Sequence, residues 1–119
     1  ARERLLACAA AMRARAAAAD RVGFLEADTR FHALLLEMSG NPLFAHLGPM
    51  TGELLRCRAE LRLLPADPDP VDAARHDAVA VAVASARPEE AHEAMRLVVR
   101  ESLEDIHQRL ARPAVESVT

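Results

Sequence analysis

An aspartate and a histidine interrupt the apolar face of the second helical segment. Leu25, Asp28, His32 and Leu35 follow one another at spacings of three, four and three residues, which places their side chains on one side of a helix. Burying a carboxylate without a partner is costly, so an inward Asp28 is expected to face a cation, a metal ion or a hydrogen-bond donor. The i,i+4 spacing also lets Asp28 and His32 reach the same ion.

A second histidine shows the same anomaly in the fourth helical segment. His76 shares a helix face with Val79 and Val83. With Asp28 and His32 it would form a two-histidine, one-carboxylate site inside a helical bundle, which binds divalent metals and leaves coordination positions open. The alternative is that each histidine is a hydrogen-bonded core residue, because an Asp-x-x-x-His spacing alone is weak evidence for a metal.

Two other function classes compete with a binding site. A metal-dependent hydrolase or oxygenase could use Asp28, His32 and His76 to activate water or oxygen. A purely structural dimerisation bundle could instead pair these groups with one another. The sequence places no clear acid or base beside them, and Cys8 and Cys57 lack the flanking pattern of an activated nucleophile. We therefore predict that the protein is not an enzyme.

Helices are the elements that must position these residues. Hydrophobic residues make up 51% of the 119 residues and aromatic residues only 3%, so the core must use Ala, Leu, Val and Met, which favours helix packing. The length suits a single domain. We predict an all-α, antiparallel bundle of about five helices, spanning about Arg2 to Ala19, Arg21 to Met38, Pro42 to Leu64, Val71 to Ala86 and Pro88 to Leu110.

The third segment carries the longest apolar pattern of the chain. Its stripe is expected to bury against other helices, and Gly48-Pro49 should kink or restart the helix. The stripe consists of Leu43, Leu47, Met50, Leu54, Cys57, Leu61 and Leu64. We interpret Cys8 and Cys57 as reduced, structural residues. The predicted domain covers residues 1–112, and residues 113–119 form a frayed C-terminal tail.

The charge of the chain argues against direct DNA binding. All 15 positively charged residues are arginine and the formal net charge is −3, whereas a domain that grips DNA unaided normally carries a basic face. The N-terminal stretch is too short and too charged for a signal peptide or a membrane span. We expect a cytoplasmic protein that makes no membrane contact.

Two stretches resemble signatures of the FadR-type C-terminal (FCD) domain of GntR-family transcription regulators. One is Phe24–His32 followed by Ser39–Pro42, and the other is Arg75–Val79 with Ala91–Met95 downstream. The likeness extends from about residue 5 to residue 110. It implies an effector-sensing and dimerising domain, in which the core of a helical bundle binds a small organic acid and the protein acts as a homodimer.

The resemblance also implies a set of metal ligands. Family members often hold a divalent metal with one Asp and three His, and Asp28, His32 and His76 match three of these positions. The fourth position is Val98, which has no ligating atom. Two interpretations remain open: a three-ligand metal (zinc, nickel or manganese) completed by water or by the effector's carboxylate, or a metal-free pocket.

The remaining histidines are not expected to replace the missing ligand. His92 and His107 lie six residues before and nine residues after Val98, and both are turned away from it on a helix of 3.6 residues per turn. We expect both to face solvent. His46 flanks the apolar pattern of the third segment and is not expected to ligate a metal either.

Four further residues are candidates for lining the effector site. Arg58 could hold a carboxylate at two points, or it could be a surface arginine with an extended, solvent-facing head. Thr51 and Asn41 could line the same cavity, although Asn41 also suits the turn that contains it. Val98 would line the pocket from the last helix.

The resemblance finally predicts what accompanies such a domain. Family members carry an N-terminal winged helix-turn-helix and an opening helix of the sensing domain, and we find neither before Arg2. DNA would then be contacted only through that missing domain. Effector binding would modulate it by shifting how helices pack across the homodimer.

Overall fold

A computed structural model describes residues 1–112, and within them every regular element is a helix. The predicted all-α fold is confirmed. The six helices are α1 (Arg2–Ala17), α2 (Arg21–Met38), α3 (Pro42–His46), α4 (Gly48–Glu60), α5 (Pro70–Ala84) and α6 (Pro88–Leu110). The predicted tail, residues 113–119, lies outside the described residues.

Local sequence explains where the helices begin. The side chain of Asp20 accepts a hydrogen bond from the Gly23 backbone N–H at 2.9 Å, which caps α2. Asp69 caps α5 in the same way, and α5 and α6 each have a proline in the first turn. After α2, Gly40 adopts a left-handed conformation with φ of 73°.

The core lies where α1 packs against α2 and α5, with α6 against α5. The valine-rich part of α5, whose alternation resembles a strand, is helical as predicted. Phe31, Leu5, Met12, His76 and Val79 are the largest fully buried side chains. A polar residue among them is the first sign that this core also carries a site.

The third predicted segment is two helices, because the chain restarts at Gly48 as the Gly-Pro pair predicted. The prediction that its stripe is buried within the chain is wrong. Most of its large side chains are exposed: Leu43, Leu47, Met50, Leu54 and Leu61. We call these five residues the apolar stripe.

Two glycines explain why α4 turns its apolar stripe outward. A Cβ atom on Gly52 would lie 3.1 Å from Thr29 Cγ2, and one on Gly48 would lie 3.5 Å from Ala33 Cβ. The helix therefore approaches α2 through its small residues, which leaves the apolar stripe on another side. Leu55, which is not part of the stripe, is buried instead.

The two cysteines occupy different environments. Both thiols are free, but Cys8 is buried and Cys57 is exposed. Burial raises the pKa of the Cys8 thiol. The prediction that both cysteines are structural therefore fits Cys8 only, because Cys57 follows the outward side of α4.

None of the six helices in the described part of the chain combines the length and apolar character needed to cross a membrane.

Candidate metal centre

Asp28, His32 and His76 converge on one point although α2 and α5 are far apart in sequence. Asp28 Oδ1 lies 3.0 Å from His32 Nε2 and 3.2 Å from His76 Nε2. The two Nε2 atoms are also 3.2 Å apart. One oxygen and two nitrogens thus form a nearly equilateral triangle inside the bundle.

Phe31 packs against both imidazoles of the triangle. Its ring is fully buried and meets both rings edge-on, with centroids 5.5 Å from His32 and 5.1 Å from His76. Since α1 packs against both α2 and α5, it holds the two ligand-bearing helices in register. The positions of the imidazoles are therefore set by core packing, which is the rigid support a binding site needs.

The hydrogen bonds of His76 determine which atom it offers to the triangle. Its Nδ1 lies 2.8 Å from the backbone carbonyl oxygen of Asp72. A carbonyl oxygen only accepts, so Nδ1 carries the hydrogen and donates it. In the neutral ring, Nε2 then presents a lone pair toward Asp28 Oδ1.

Asp28 Oδ1 is buried and has no hydrogen bond of good geometry with any described residue. It faces the lone pair of a neutral His76 at 3.2 Å. Two acceptors at this distance repel each other unless a proton or a cation lies between them. The arrangement therefore calls for a proton or a cation at this point.

Titration of the triangle reflects the same requirement. Burial alone would raise the pKa of Asp28, but the two histidines outweigh it and hold that pKa well below its ordinary value. Burial would lower the pKa of His76, yet Asp28 and Asp72 raise it above its ordinary value. For Asp72, burial raises the carboxyl pKa. The site thus attracts a proton when nothing else supplies the charge.

The donor set also fits a divalent metal ion. Ligand atoms on one tetrahedral ion with bonds of about 2.0–2.1 Å lie about 3.3–3.4 Å apart, close to the 3.0–3.2 Å separations here. Two imidazole nitrogens and a carboxylate are the ligand types of zinc, nickel and manganese sites. An orphaned, buried Oδ1 is accordingly what a metal ligand looks like without its metal.

The fourth metal-ligand position implied by the resemblance is occupied by the apolar residue Val98. Val98 is 3% exposed and belongs to the central core. His92 and His107 are exposed, as predicted, and His46 is exposed with its Nδ1 donating to the Pro42 carbonyl. Within the described residues, therefore, the protein offers three candidate metal ligands at this point.

A cavity of about 390 Å³ adjoins the triangle at His32. Thr51, a predicted lining residue, lies in its wall. Asn41 does not, because it is exposed and its Oδ1 accepts from the Leu43 N–H at 2.9 Å to cap α3. The full lining is His32, Leu35, Leu36, Ser39, Phe44, Thr51 and Met95.

Arg58 does not extend into solvent, so its interpretation as a surface arginine is wrong. Its side chain is only 18% exposed and lies 3.8 Å from Asp105 Oδ2. One Nη donates to the Leu63 carbonyl, while the Nε–H is buried without a hydrogen-bond partner among the described residues. Desolvation lowers the pKa of Arg58, and Asp105 and Asp28 act against that change. Arg58 is thus an inward cation, although it is not part of the cavity wall.

Sequence reasoning missed several residues of the site. Asp72 precedes His76 by four residues, so the helical spacing alone could have suggested their contact. Leu36, Phe44 and Met95 line the cavity but look like ordinary apolar helix residues. Nothing in their pattern distinguishes a wall residue from a core residue.

Comparison with known proteins agrees with this architecture. The FCD domain family matches residues 1–101, which cover most of the chain and all three residues of the triangle. No curated protein and no solved structure matches the chain. The chain belongs to the FCD domain family, the C-terminal effector-binding domains of GntR/FadR-type transcription regulators.

Proposed function

We propose that this domain senses a small organic acid through a divalent metal ion held by Asp28, His32 and His76, and that it works as the effector-binding and dimerising part of a bacterial transcription regulator. The observation that carries the proposal is the convergence of three ligand atoms within 3.2 Å of one another beside a cavity. A three-ligand site leaves a position at which a carboxylate can bind.

Each residue of this site has a separate role in the proposal. Asp28 offsets part of the charge of the cation, and Asp72 fixes the ring of His76 so that Nε2 faces inward. His32 joins the triangle to the cavity. A bound metal ion would supply the positive charge and the open position that an anionic effector needs.

Arg58 is a second anchor that we propose for the effector's carboxylate. Its inward placement, its unpartnered buried Nε–H and its electrostatic interaction with Asp28 support this role. Replacing Arg58 by Lys removes the planar fork while keeping the charge, and should weaken carboxylate binding about tenfold. Arg56→Lys is the matched control, because Arg56 lies on the same helix in an exposed pair with Glu53. Equal carboxylate affinities in the two variants would show that Arg58 does not contact the effector.

A homodimer is the assembly that we propose for the domain. The apolar stripe supports it, since soluble monomers seldom expose such a row of large side chains along one helix pair. Replacing Leu54 and Leu61 by Glu should shift the protein toward monomer in sedimentation equilibrium. Val22→Glu changes an equally exposed residue on α2 and should leave the assembly unaltered. A double variant that associates as tightly as wild type would exclude this surface.

The sensing role is tested with the metal content and the ligand response of the purified protein. We expect a divalent metal by elemental analysis, a lower melting temperature after chelation, and a rise in that temperature with one class of carboxylates and no turnover of them. In a regulator that contains the winged helix-turn-helix, the same acid should alter operator affinity. An unchanged operator affinity would refute the regulatory part of the proposal.

A further inference from the structure

The wall of the cavity beside His32 is almost entirely apolar. Four of its seven residues are Leu35, Leu36, Phe44 and Met95. Apart from His32, none of the seven carries an ionisable side chain. A ligand that enters this cavity thus meets polar chemistry at one end only.

The two hydroxyl groups in the wall do not add a free hydrogen-bond donor for a ligand. Ser39 Oγ donates to the Leu36 carbonyl at 2.6 Å, and Thr51 Oγ1 donates to the Leu47 carbonyl at 3.0 Å. Both hydroxyl hydrogens are therefore used within the backbone of their own helices. Neither is free to donate to a second carboxylate or hydroxyl group of a ligand.

The volume shows how much ligand the wall can surround. At about 30 Å³ for each water molecule, 390 Å³ corresponds to roughly 13 water volumes. A two-carbon acid would leave most of this space filled with water against apolar side chains. A longer apolar chain would replace that water and gain the free energy of burial.

We propose that the effector is a monocarboxylate with an apolar tail, whose carboxylate lies at the His32 end and whose tail fills the cavity. This inference rests on the proposed function and adds the substrate class. A dicarboxylate would have to place its second carboxylate against Leu36 and Phe44, where no wall residue offers it a cation or a free donor, which is costly.

Isothermal titration of the zinc-loaded protein with acids of increasing length tests the proposal. Affinity should rise about fourfold for each methylene from butyrate through hexanoate to octanoate. Adipate is hexanoate with a second carboxylate at its far end, and should bind at least about tenfold more weakly than hexanoate. The pair has the same carbon count, so the comparison isolates the second charge.

Variants of the wall give a second test. Phe44→Arg adds a cation at a half-exposed position and should reverse the preference in favour of adipate. Val22→Arg adds the same charge on an exposed part of α2 outside the wall and should leave the preference intact. Thr51→Val should change hexanoate affinity by less than about twofold, because its hydroxyl already serves the backbone. This last variant keeps the test valid if Phe44→Arg does not fold.

The outcomes separate this inference from the proposal on which it rests. If acids bind the zinc-loaded protein with no dependence on tail length, or adipate binds as tightly as hexanoate, the apolar-tail inference is overturned and the metal-dependent sensor stands. If no carboxylate binds the zinc-loaded protein at all, the sensor proposal itself fails and this inference with it.

Discussion

His76 Nδ1 lies 2.8 Å from the backbone carbonyl oxygen of Asp72, one helical turn earlier. The contact fixes the imidazole so that its other nitrogen faces Asp28 and His32, and it uses a backbone carbonyl, which is present whatever the side chain at position 72. The helix that carries the histidine thus holds the ring without any further residue. The geometry of the candidate metal centre thus begins with an ordinary feature of α5.

Removing a ligand should abolish zinc binding without unfolding the protein. His76→Gln keeps a polar side chain of similar length but loses the imidazole, and we expect zinc affinity to fall by more than about 100-fold, beyond the loss typical for a residue that only orients a ligand. Titration calorimetry measures it. His92→Gln is the matched control, because His92 is exposed on α6. Similar zinc affinities in both variants would show that the metal binds elsewhere.

The effect of pH on stability should differ in sign with and without metal. In the metal-free protein, the lowered pKa of Asp28 contributes stability above about pH 3.8, and the raised pKa of His76 contributes stability below about pH 6.5, which is lost as the pH rises through the folded value. Stability from this pair is therefore greatest between those limits. Zinc needs the deprotonated ring, so its stabilisation should grow as the pH rises.

Thermal unfolding at pH 5.5 and pH 8 measures this difference. We expect the increase in melting temperature on adding zinc to be several degrees larger at pH 8, given that 1 kcal/mol shifts the midpoint of a domain of this size by about 4 °C. An equal increase at both values of pH would contradict binding through His32 and His76.

Introducing the missing fourth ligand should tighten metal binding. Val98→His places an imidazole at a core position that is 3% exposed, which should destabilise the metal-free protein by a few kcal/mol. Zinc should restore that loss and bind on the order of tenfold more tightly than to wild type. Val98→Asn is the control, because it carries the polar burial without a good ligand. Equal zinc affinities in the two variants would mean that position 98 does not reach the metal.

The cap of α2 offers a test of the scaffold that does not involve the site. Asp20→Ala removes the acceptor for the Gly23 N–H and should lower the free energy of unfolding by about 1 kcal/mol. Urea denaturation measures it. Asp77→Ala breaks only a loose pair with Arg13 at 3.8 Å, and its effect should stay below about 0.5 kcal/mol. A larger loss from Asp77→Ala would reverse this ranking of local interactions.

Local signals explain the helix boundaries, which lie close to the predicted ones. Asp20 before α2, Gly40 after it and Gly48 at the start of α4 each act through their own backbone, so no distant residue alters the result. Burial of the third segment was predicted wrongly for the opposite reason. Periodicity shows that α4 has an apolar face, but which side meets α2 depends on the small residues Gly48 and Gly52.

Only part of the candidate metal centre could likewise be predicted from local spacing. Asp28 and His32 share one helix face, so their spacing predicts their proximity. Their meeting with His76 depends on how α1 sets α2 and α5 against each other, which spacing within one helix does not encode. Arg58 illustrates the limit further, since its helix position allowed a surface or an inward side chain and only the fold decides between them.

The side chains of Asp28 and His76 are only 9% and 2% exposed, and this has a kinetic consequence. Because these two ligands are shielded, a bound ion is expected to exchange through the cavity that His32 borders. An effector that fills the cavity would block this route. Zinc should therefore be lost to a chelator more slowly when an acid is bound than when the cavity holds only water, so the effector would trap the ion as well as bind to it.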